Sequence, residues 1–194
     1  MPELIHVSGP SVEPVTSAEV KTAARIDGTE FDSQIALIIP AIRGQAEARL
    51  GRLLIHQVKE LVLPAFPAGA EDLDLIYPDV ASITSVTYLD VDGAPRTLDA
   101  SAWELAVPEG RPARLVAAFD TEWPETQDIW DAVRIRFMAG YGPAGSAVPA
   151  DVRLWILAQA VQVLRTPDGL GADNLKSLPY VDGLLDAHRI LRAA

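Results

Sequence analysis

The apolar positions follow two different periods, which divide the chain into three parts. Apolar residues recur at helical spacing from Phe31 to Leu50 and again from Val152 to Leu164. Between these segments, short runs rich in β-branched and aromatic residues are separated by Gly, Pro and Asp turn signals, a pattern typical of strands. The order of elements is therefore predicted to be helical, then β, then helical.

Two helices are predicted in the first part. The segment Thr16-Ser17-Ala18-Glu19 fits a capping box and indicates a helix over residues 17–25. Thr29 is the predicted N-cap of a second helix over residues 30–50. Pro40 lies inside that helix, where we expect a kink but no termination, because the apolar stripe continues in phase beyond it.

Six strands are predicted in the middle part. The last of them, Val133-Arg134-Ile135-Arg136-Phe137, alternates strictly, which indicates one buried face and one wet face. Short strands with this spacing suggest an antiparallel sheet or a small barrel. The predicted strands are Gln57–Leu63, Leu73–Tyr77, Ile83–Leu89, Trp103–Val107, Arg114–Ala118 and Val133–Ala139.

The helix from Val152 to Leu164 is apolar on almost every side. A helix with so thin a polar face is usually buried all round, so we expect Trp155, Ile156 and Leu157 to contribute to an interface with another subunit. A loop is predicted over residues 169–176, and a last helix is predicted to begin near Ser177, with Pro179 in its first turn.

These elements predict an α+β fold: a bundle of about four helices with an antiparallel β module inserted between the second and third helices. The helical domain comprises residues 1–56 and 140–194, and the inserted module comprises residues 57–139. There is no internal repeat and no low-complexity tract.

The amino-acid composition excludes several classes of function. The 194 residues include no cysteine, which excludes a disulfide scaffold, a Cys-ligated metal site and thiol catalysis. The net charge is −11, and residues 57–139 hold most of it, with 15 acidic and six basic side chains. The sequence shows no basic n-region near residue 1 and no segment suited to a bilayer, so we expect a cytoplasmic protein without a membrane partner.

The candidate chemical motifs are weak. Gly140-Tyr141-Gly142-Pro143-Ala144-Gly145 matches G-x-G-x-x-G, but Pro143 removes an amide and no parallel βαβ unit surrounds it, so we interpret it as a strand-to-helix connector. Asp90-Val91-Asp92-Gly93 resembles the start of a calcium loop, yet the twelfth position is Ser101, and a hairpin turn is the better interpretation.

The remaining titratable residues do not converge in the sequence. His6, His56 and His188 have no shared spacing, and Asp72 with Asp74 fits the wet face of an edge strand. We therefore predict no catalytic residue, no metal site and no cofactor.

The order of segments resembles the head–tail connector, or adaptor, proteins of tailed bacteriophages and phage-like particles. The similarity extends from about Pro14 to Arg192. The segments that carry it are Pro14–Lys21, Arg25-Ile26-Asp27 before a long helix, Ile83–Gly93, Val133–Gly142, Val148-Pro149, and Leu184-Leu185 with Arg189.

This resemblance implies a structural protein of the virion, not an enzyme. It implies a dodecameric ring under the portal protein, extending the channel for genomic DNA and presenting a platform for stopper or tail-terminator proteins. The DNA would pass without specific binding, and assembly would take place in the bacterial cytoplasm.

The resemblance also implies that the C-terminal segment docks onto the portal. Its apolar and basic side chains suit a helix that lies in a groove of a partner. The same stripe could instead close the subunit's own bundle. The docking residues predicted are Val181, Leu184, Leu185, Arg189, Ile190, Leu191 and Arg192.

Two other classes of protein remain open on sequence alone. One is an enzyme with an unrecognised site in the β region, and the other is a monomeric module that binds carbohydrate or protein. Acids that converge in a pocket would favour the enzyme, whereas exposed tryptophans on the sheet would favour the binding module.

The charge distribution generates a first prediction. The isolated protein should show no measurable affinity for duplex DNA at about 0.15 M salt, because phosphate binding needs clustered Lys and Arg. Fluorescence anisotropy with a labelled duplex measures this. Tight binding that weakens steeply with salt would contradict it.

Overall fold

The computed structural model describes residues 2–165 and 179–190, and it divides the chain into two compact units. Unit 1 comprises residues 1–10 and 56–140, and unit 2 comprises residues 11–55 and 141–194. Within the described residues, the helices are α1 (Ser17–Ala24), α2 (Asp32–Leu50), α3 (Ala150–Arg165) and α4 (Pro179–Asp182). The strands are β1 (Glu3–Ser8), β2 (Gln57–Leu63), β3 (Leu73–Asp74), β4 (Val80–Leu89), β5 (Pro95–Thr97), β6 (Trp103–Ala106), β7 (Arg114–Ala117) and β8 (Val133–Ala139).

The predicted capping box starts α1. The Thr16 hydroxyl accepts from the Glu19 N–H (3.2 Å), and the Glu19 carboxylate accepts from the Thr16 N–H (2.7 Å). These bonds hold the pKa of Glu19 below its ordinary value. The helix ends earlier than residue 25 because Arg25 adopts a left-handed conformation with φ +57°.

The predicted N-cap of α2 is wrong. The helix begins at Asp32, and the capping residue is Phe31, which makes no side-chain cap bond. Thr29 instead belongs to a turn in which its carbonyl accepts from the Asp32 N–H (3.1 Å). The helix continues through Pro40, as the uninterrupted apolar stripe predicted, and ends at Leu50, with Gly51 as its left-handed C-cap.

The core of unit 2 forms around α3. Its buried side chains come from α1, α2, α3 and Leu185 of the C-terminal segment, with others from the connecting segments, and Trp155 and Ile156 have no exposed surface. The Trp155 Nε1–H donates to Asp182 Oδ1 (3.1 Å), and the Arg49 guanidinium lies 5.2 Å from the centroid of the indole ring. The polar edge of this tryptophan is therefore satisfied by residues that are distant in sequence.

Unit 1 contains two antiparallel sheets. The larger has strand order β1-β2-β8-β4-β5, and the smaller has the order β3-β7-β6. In β8 the residues alternate as the sequence predicts: Ile135 and Phe137 are fully buried, whereas the side chains of Arg134 and Arg136 on the other face are 40% and 44% exposed. The buried Glu60 of β2 accepts from both arginines, at 3.1 and 2.8 Å, so the charge is paired.

The α+β fold class is confirmed, but two strands, β1 and β5, were not predicted. Strand β5 is exposed at all three residues, so it carries no alternating pattern. The sequence predicts residues 1–10 as part of the helical domain. Strand β1 instead pairs with β2, so these residues belong to unit 1 with the sheet. Strand β3 is shorter than predicted, since Ile76 has φ +71°.

The position of α3 generates a prediction about stability. Trp155→Ala should lower the free energy of unfolding by about 3–5 kcal/mol, because it removes a fully buried indole. The neighbouring Leu154 is 54% exposed, so Leu154→Ala should change it by less than about 0.5 kcal/mol. Urea denaturation followed by tryptophan fluorescence or circular dichroism measures both. Equal effects of the two substitutions would contradict the assignment of Trp155 to the core.

Candidate assembly surfaces

The glycine-rich connector after β8 is shaped by packing. A Cβ at Gly145 would lie 2.8 Å from the carbonyl oxygen of Pro14, and a Cβ at Gly142 would lie 2.5 Å from Cβ of Ala147. Residues 145–147 then form a short 3₁₀ turn before α3 begins at Ala150. The glycines therefore permit close approach of neighbouring chain segments, which agrees with a connector.

The Asp90 loop is a hairpin turn between β4 and β5. The Asp90 carboxylate accepts from the N–H groups of Asp92 (3.1 Å) and Ala94 (2.8 Å) and from Arg96 Nε (2.8 Å). The bond from Arg96 and these backbone bonds hold the pKa of Asp90 below its ordinary value. Its oxygens stabilise the turn, as the hairpin interpretation predicted.

The other acidic and histidine candidates also serve structure. Asp74 lies in the edge strand β3 and Asp72 directly precedes that strand. Both carboxylates contact Arg114, Asp72 at 2.9 Å and Asp74 at 3.5 Å. His6 contacts Lys59 (2.8 Å), and His188 contacts Asp151 (2.7 Å). No cluster of three or more potential metal ligands occurs in residues 2–165 and 179–190. None of the described helices combines the length and the apolar character needed to cross a bilayer.

The structure places the three predicted interface residues of α3 mainly inside their own unit. Trp155 and Ile156 are fully buried, and Leu157 is partly buried against the same core. The apolar side chain that α3 presents to solvent is Leu154. Helical periodicity alone does not single out Leu154, because this helix is apolar on almost every side.

The outer face of α2 is an uncharged surface that was not predicted from the sequence. Leu37 is 74% exposed. The other exposed positions between residues 33 and 48 are Ser33, Gln34, Ala36, Ala41, Gly44, Gln45 and Ala48, and none is charged. Beside this helix is a groove of about 370 Å³, lined by the apolar Val12, Val15, Ala36, Ile39 and Pro40 and by the polar Glu13, Thr16 and Ser17. An exposed helix face usually carries charge, so this one suits contact with another protein.

The predicted portal-docking residues divide between core and surface. Leu185 is only 2% exposed, and Val181 and Leu184 pack partly against the core of unit 2. Arg189 has 56% of its side chain exposed, and Ile190 is partly exposed. Leu191 and Arg192 lie outside the described residues. The last helix predicted from sequence is a single α-helical turn, α4, followed by a 3₁₀ helix over residues 183–188.

Polar bonds attach this C-terminal segment to the rest of unit 2. The Ile190 N–H donates to the Leu50 carbonyl (2.9 Å), and Arg52 Nε donates to the His188 carbonyl (2.8 Å). Arg49 Nη1 pairs with Asp182 Oδ1 at 2.9 Å. These bonds, together with the burial of Leu185, close the core over α3.

The carboxylate of Asp151 joins the start of α3 to this segment. Burial raises the pKa of Asp151, but hydrogen bonds from His188 and from the Val152 N–H outweigh burial, so its pKa lies below the ordinary value of 3.8. The folded state therefore favours the ionised carboxylate.

Comparisons with solved structures show which proteins share this fold. A chain from the neck of an empty gene transfer agent (GTA) particle, computed with C6 symmetry, is 24% identical and matches with a TM-score of 0.80 over 99% of this chain and 97% of that one. A chain from the virion of a native GTA particle is 25% identical, with a TM-score of 0.80 over 98% and 97%.

A third chain, from the neck of a native GTA particle computed with C12 symmetry, is 24% identical, with a TM-score of 0.72 over 97% of both chains. No protein-family model and no curated protein matches the sequence. The fold is thus that of neck proteins of a phage-like particle, in agreement with the resemblance to head–tail connectors.

The Asp151–His188 contact generates a prediction about pH. Because the folded-state pKa of Asp151 is lowered, its contribution to stability is fully present above about pH 4 and is lost as the pH falls through the folded-state pKa. At pH 7, Asp151→Asn should lower the free energy of unfolding by about 0.5 kcal/mol, a value limited by solvent screening. The difference between variant and wild type should shrink below pH 4.

Urea denaturation at several pH values measures this difference. The control is Asp186→Asn, since Asp186 is exposed and lies 3.7 Å from Arg189. A destabilisation by Asp151→Asn that stays constant from pH 7 to pH 3 would contradict the prediction.

Proposed function

We propose that this protein is a structural head–tail connector of a tailed phage or phage-like particle. It forms a ring under the portal, extends the DNA channel, and joins the head to stopper or tail-terminator proteins. The observation that supports this most is the match over nearly the full length of both chains to a protein in the neck of a GTA particle. Its role is mechanical and not enzymatic.

The ring follows from two different surfaces on one unit. A closed cyclic ring needs heterologous contacts, in which one patch of a subunit meets a different patch of the next. The outer face of α2 with Leu37 and the face of α3 with Leu154 are two different patches that each expose a leucine, both in unit 2. We propose a dodecamer, since the similar chains belong to necks with C6 or C12 symmetry.

The buried α3 residues contribute indirectly to this ring. Trp155 and Ile156 fix α3 within the subunit, and Leu157 borders the exposed Leu154 along the helix. The interface predicted from sequence therefore becomes a contact through Leu154 and the edge of Leu157, held in place by the core beneath.

The portal contact is assigned to the exposed end of the C-terminal segment. Arg189 and Ile190 offer a cation and apolar surface, and Leu191 and Arg192 continue the same chemistry in sequence. Val181, Leu184 and Leu185 support this end by anchoring the segment to the core. Arginine pairs well with carboxylates on a partner, which suits docking.

The acidic charge fits a channel component. Residues 57–139 carry 15 acidic and six basic side chains, so a surface of this segment that faces DNA repels phosphate. The genome then passes without being retained. We place the protein at the head–tail interface of the virion, and in the host cytoplasm before assembly.

The experiment uses DNA-filled, portal-bearing heads that lack the connector. Purified wild-type protein should attach to them, as measured by co-sedimentation and by imaging of the neck. Arg189→Glu should weaken attachment at least ten-fold without lowering the melting temperature, because it replaces an exposed docking cation with an anion.

The matched control is Arg111→Glu, an exposed arginine of unit 1 with the same change of charge. A second variant ends the chain after Ile190, which keeps the described bonds of the segment and removes residues 191–194. If wild-type protein does not attach to heads, the proposed function is wrong. If Arg189→Glu and the truncated chain both attach to heads like wild type, the portal contact lies elsewhere.

A further inference from the structure

The segment between β7 and β8 exposes two large aromatic side chains. Phe119 is 98% exposed and Trp130 is 66% exposed. They belong to a connection of 15 residues, from Ala118 to Ala132, that contains no helix or strand. Connections of this length without regular structure are uncommon in compact units and are usually either functional or disordered linkers. We name residues 118–132 the β7–β8 loop.

The loop is held in place although it lacks regular structure. Trp123, near its centre, is buried and stacks on Phe66 with ring centroids 5.1 Å apart and an interplanar angle of 4°. Its Nε1–H donates to the Glu71 carbonyl (2.9 Å), and its backbone N–H donates to the Gly69 carbonyl (3.2 Å). This residue anchors the middle of the loop to the body of unit 1.

Both exposed aromatics lie beside backbone hydrogen bonds. Phe119 occupies a turn that the Thr121 N–H closes by donating to the Ala118 carbonyl (3.0 Å), and Asp120 in that turn has φ +58°. At the other end of the loop, two residues after Trp130, the Ala132 carbonyl accepts from the Leu89 N–H (2.9 Å). A fixed loop loses little conformational entropy when a partner binds, so exposed aromatics on it can act as binding anchors.

The charge of the loop selects the partner. Its acidic residues are Asp120, Glu122, Glu125, Asp128 and Asp131, of which Asp131 is paired with Arg134 of β8 (2.8 Å), and it has no lysine or arginine. Nucleic acid and anionic lipid are disfavoured by like charge. A second copy of unit 1 is disfavoured for the same reason, because residues 57–139 carry 15 acids and only six bases. A basic protein surface with an apolar pocket complements both features.

We infer that the β7–β8 loop is a docking element that inserts Phe119 and Trp130 into apolar pockets of a different protein of the particle, with that protein's Lys and Arg side chains around them. This inference rests on the proposed function, because the partner is a component of the same particle. The contact is separate from the C-terminal segment assigned to the portal.

Photo-crosslinking in assembled particles tests the inference directly. Phe119→p-benzoylphenylalanine keeps an aromatic side chain and reacts with whatever lies against it. We expect a cross-link to another particle protein, at a peptide that contains Lys or Arg, identified by mass spectrometry. The matched control is Val91→p-benzoylphenylalanine, at a 59% exposed position in the β4–β5 turn, where no cross-link is expected.

The outcomes separate this inference from the proposed function. If the variant and the wild type are both absent from particles, the proposed function fails and this inference fails with it. If the variant is incorporated but cross-links only to a second copy of this chain, only to DNA or to nothing, the docking element is wrong while the connector role stands. Equal cross-linking from position 91 also overturns it.

Substitutions provide an independent measurement. Phe119→Ser combined with Trp130→Ser should leave the melting temperature unchanged, since both side chains are exposed, and should reduce the yield of complete particles at least ten-fold. Immunoblots of isolated heads show whether the loss occurs before or after the connector joins the head. The matched control is Val91→Ser combined with Val107→Ser, two other exposed apolar positions of unit 1.

Charge is tested separately. Glu122→Gln with Glu125→Gln should lower the yield, whereas Glu104→Gln with Glu109→Gln changes the net charge equally outside the loop and should not. Normal yields from both the aromatic and the charge variants would overturn the inference.

Discussion

The helical unit depends on the burial of one tryptophan. Trp155 has no exposed surface, yet its indole N–H must be satisfied, and Asp182 supplies the acceptor from the C-terminal segment. The same Asp182 oxygen pairs with Arg49 at the end of α2. One buried side chain thereby ties α2, α3 and residues 179–190 together, and it leaves only the outer faces of these elements available for assembly.

Much of the fold could be predicted because local chemistry determines it. The capping residues Thr16 and Glu19 start α1, and the strict alternation in Val133–Ala139 gives a strand with the predicted bounds. Strand β5 could not be predicted, since an exposed edge strand of three residues needs no apolar pattern. The start of α2 was misplaced because Thr29 makes a backbone turn, whereas a threonine before a helical stripe usually caps it.

The assembly surfaces could be predicted only in part, because sequence does not tell which side of an apolar helix faces its own core. The sequence predicts an apolar α3 with Trp155 and Ile156 at a subunit interface. In the structure these two residues are buried within the subunit, and Leu154 is exposed. No role is predicted for Leu37 from the sequence, although this residue is 74% exposed on the outer face of α2. For Phe119, the sequence carries no signal, since its exposure follows from the fixed turn around Asp120.

The strand order of the larger sheet has a consequence for the way the chain folds. Strand β8 lies between β2 and β4, although it is the last strand of the sheet in sequence. Its pairing joins Glu60 to Arg136, and β1 pairs with β2 across the whole of α1 and α2. Contacts between residues so far apart slow folding, because long loops must close first. During synthesis, β2 and β4 each therefore have an unpaired edge until residue 139 has left the ribosome, and such unpaired strand edges expose the chain to aggregation.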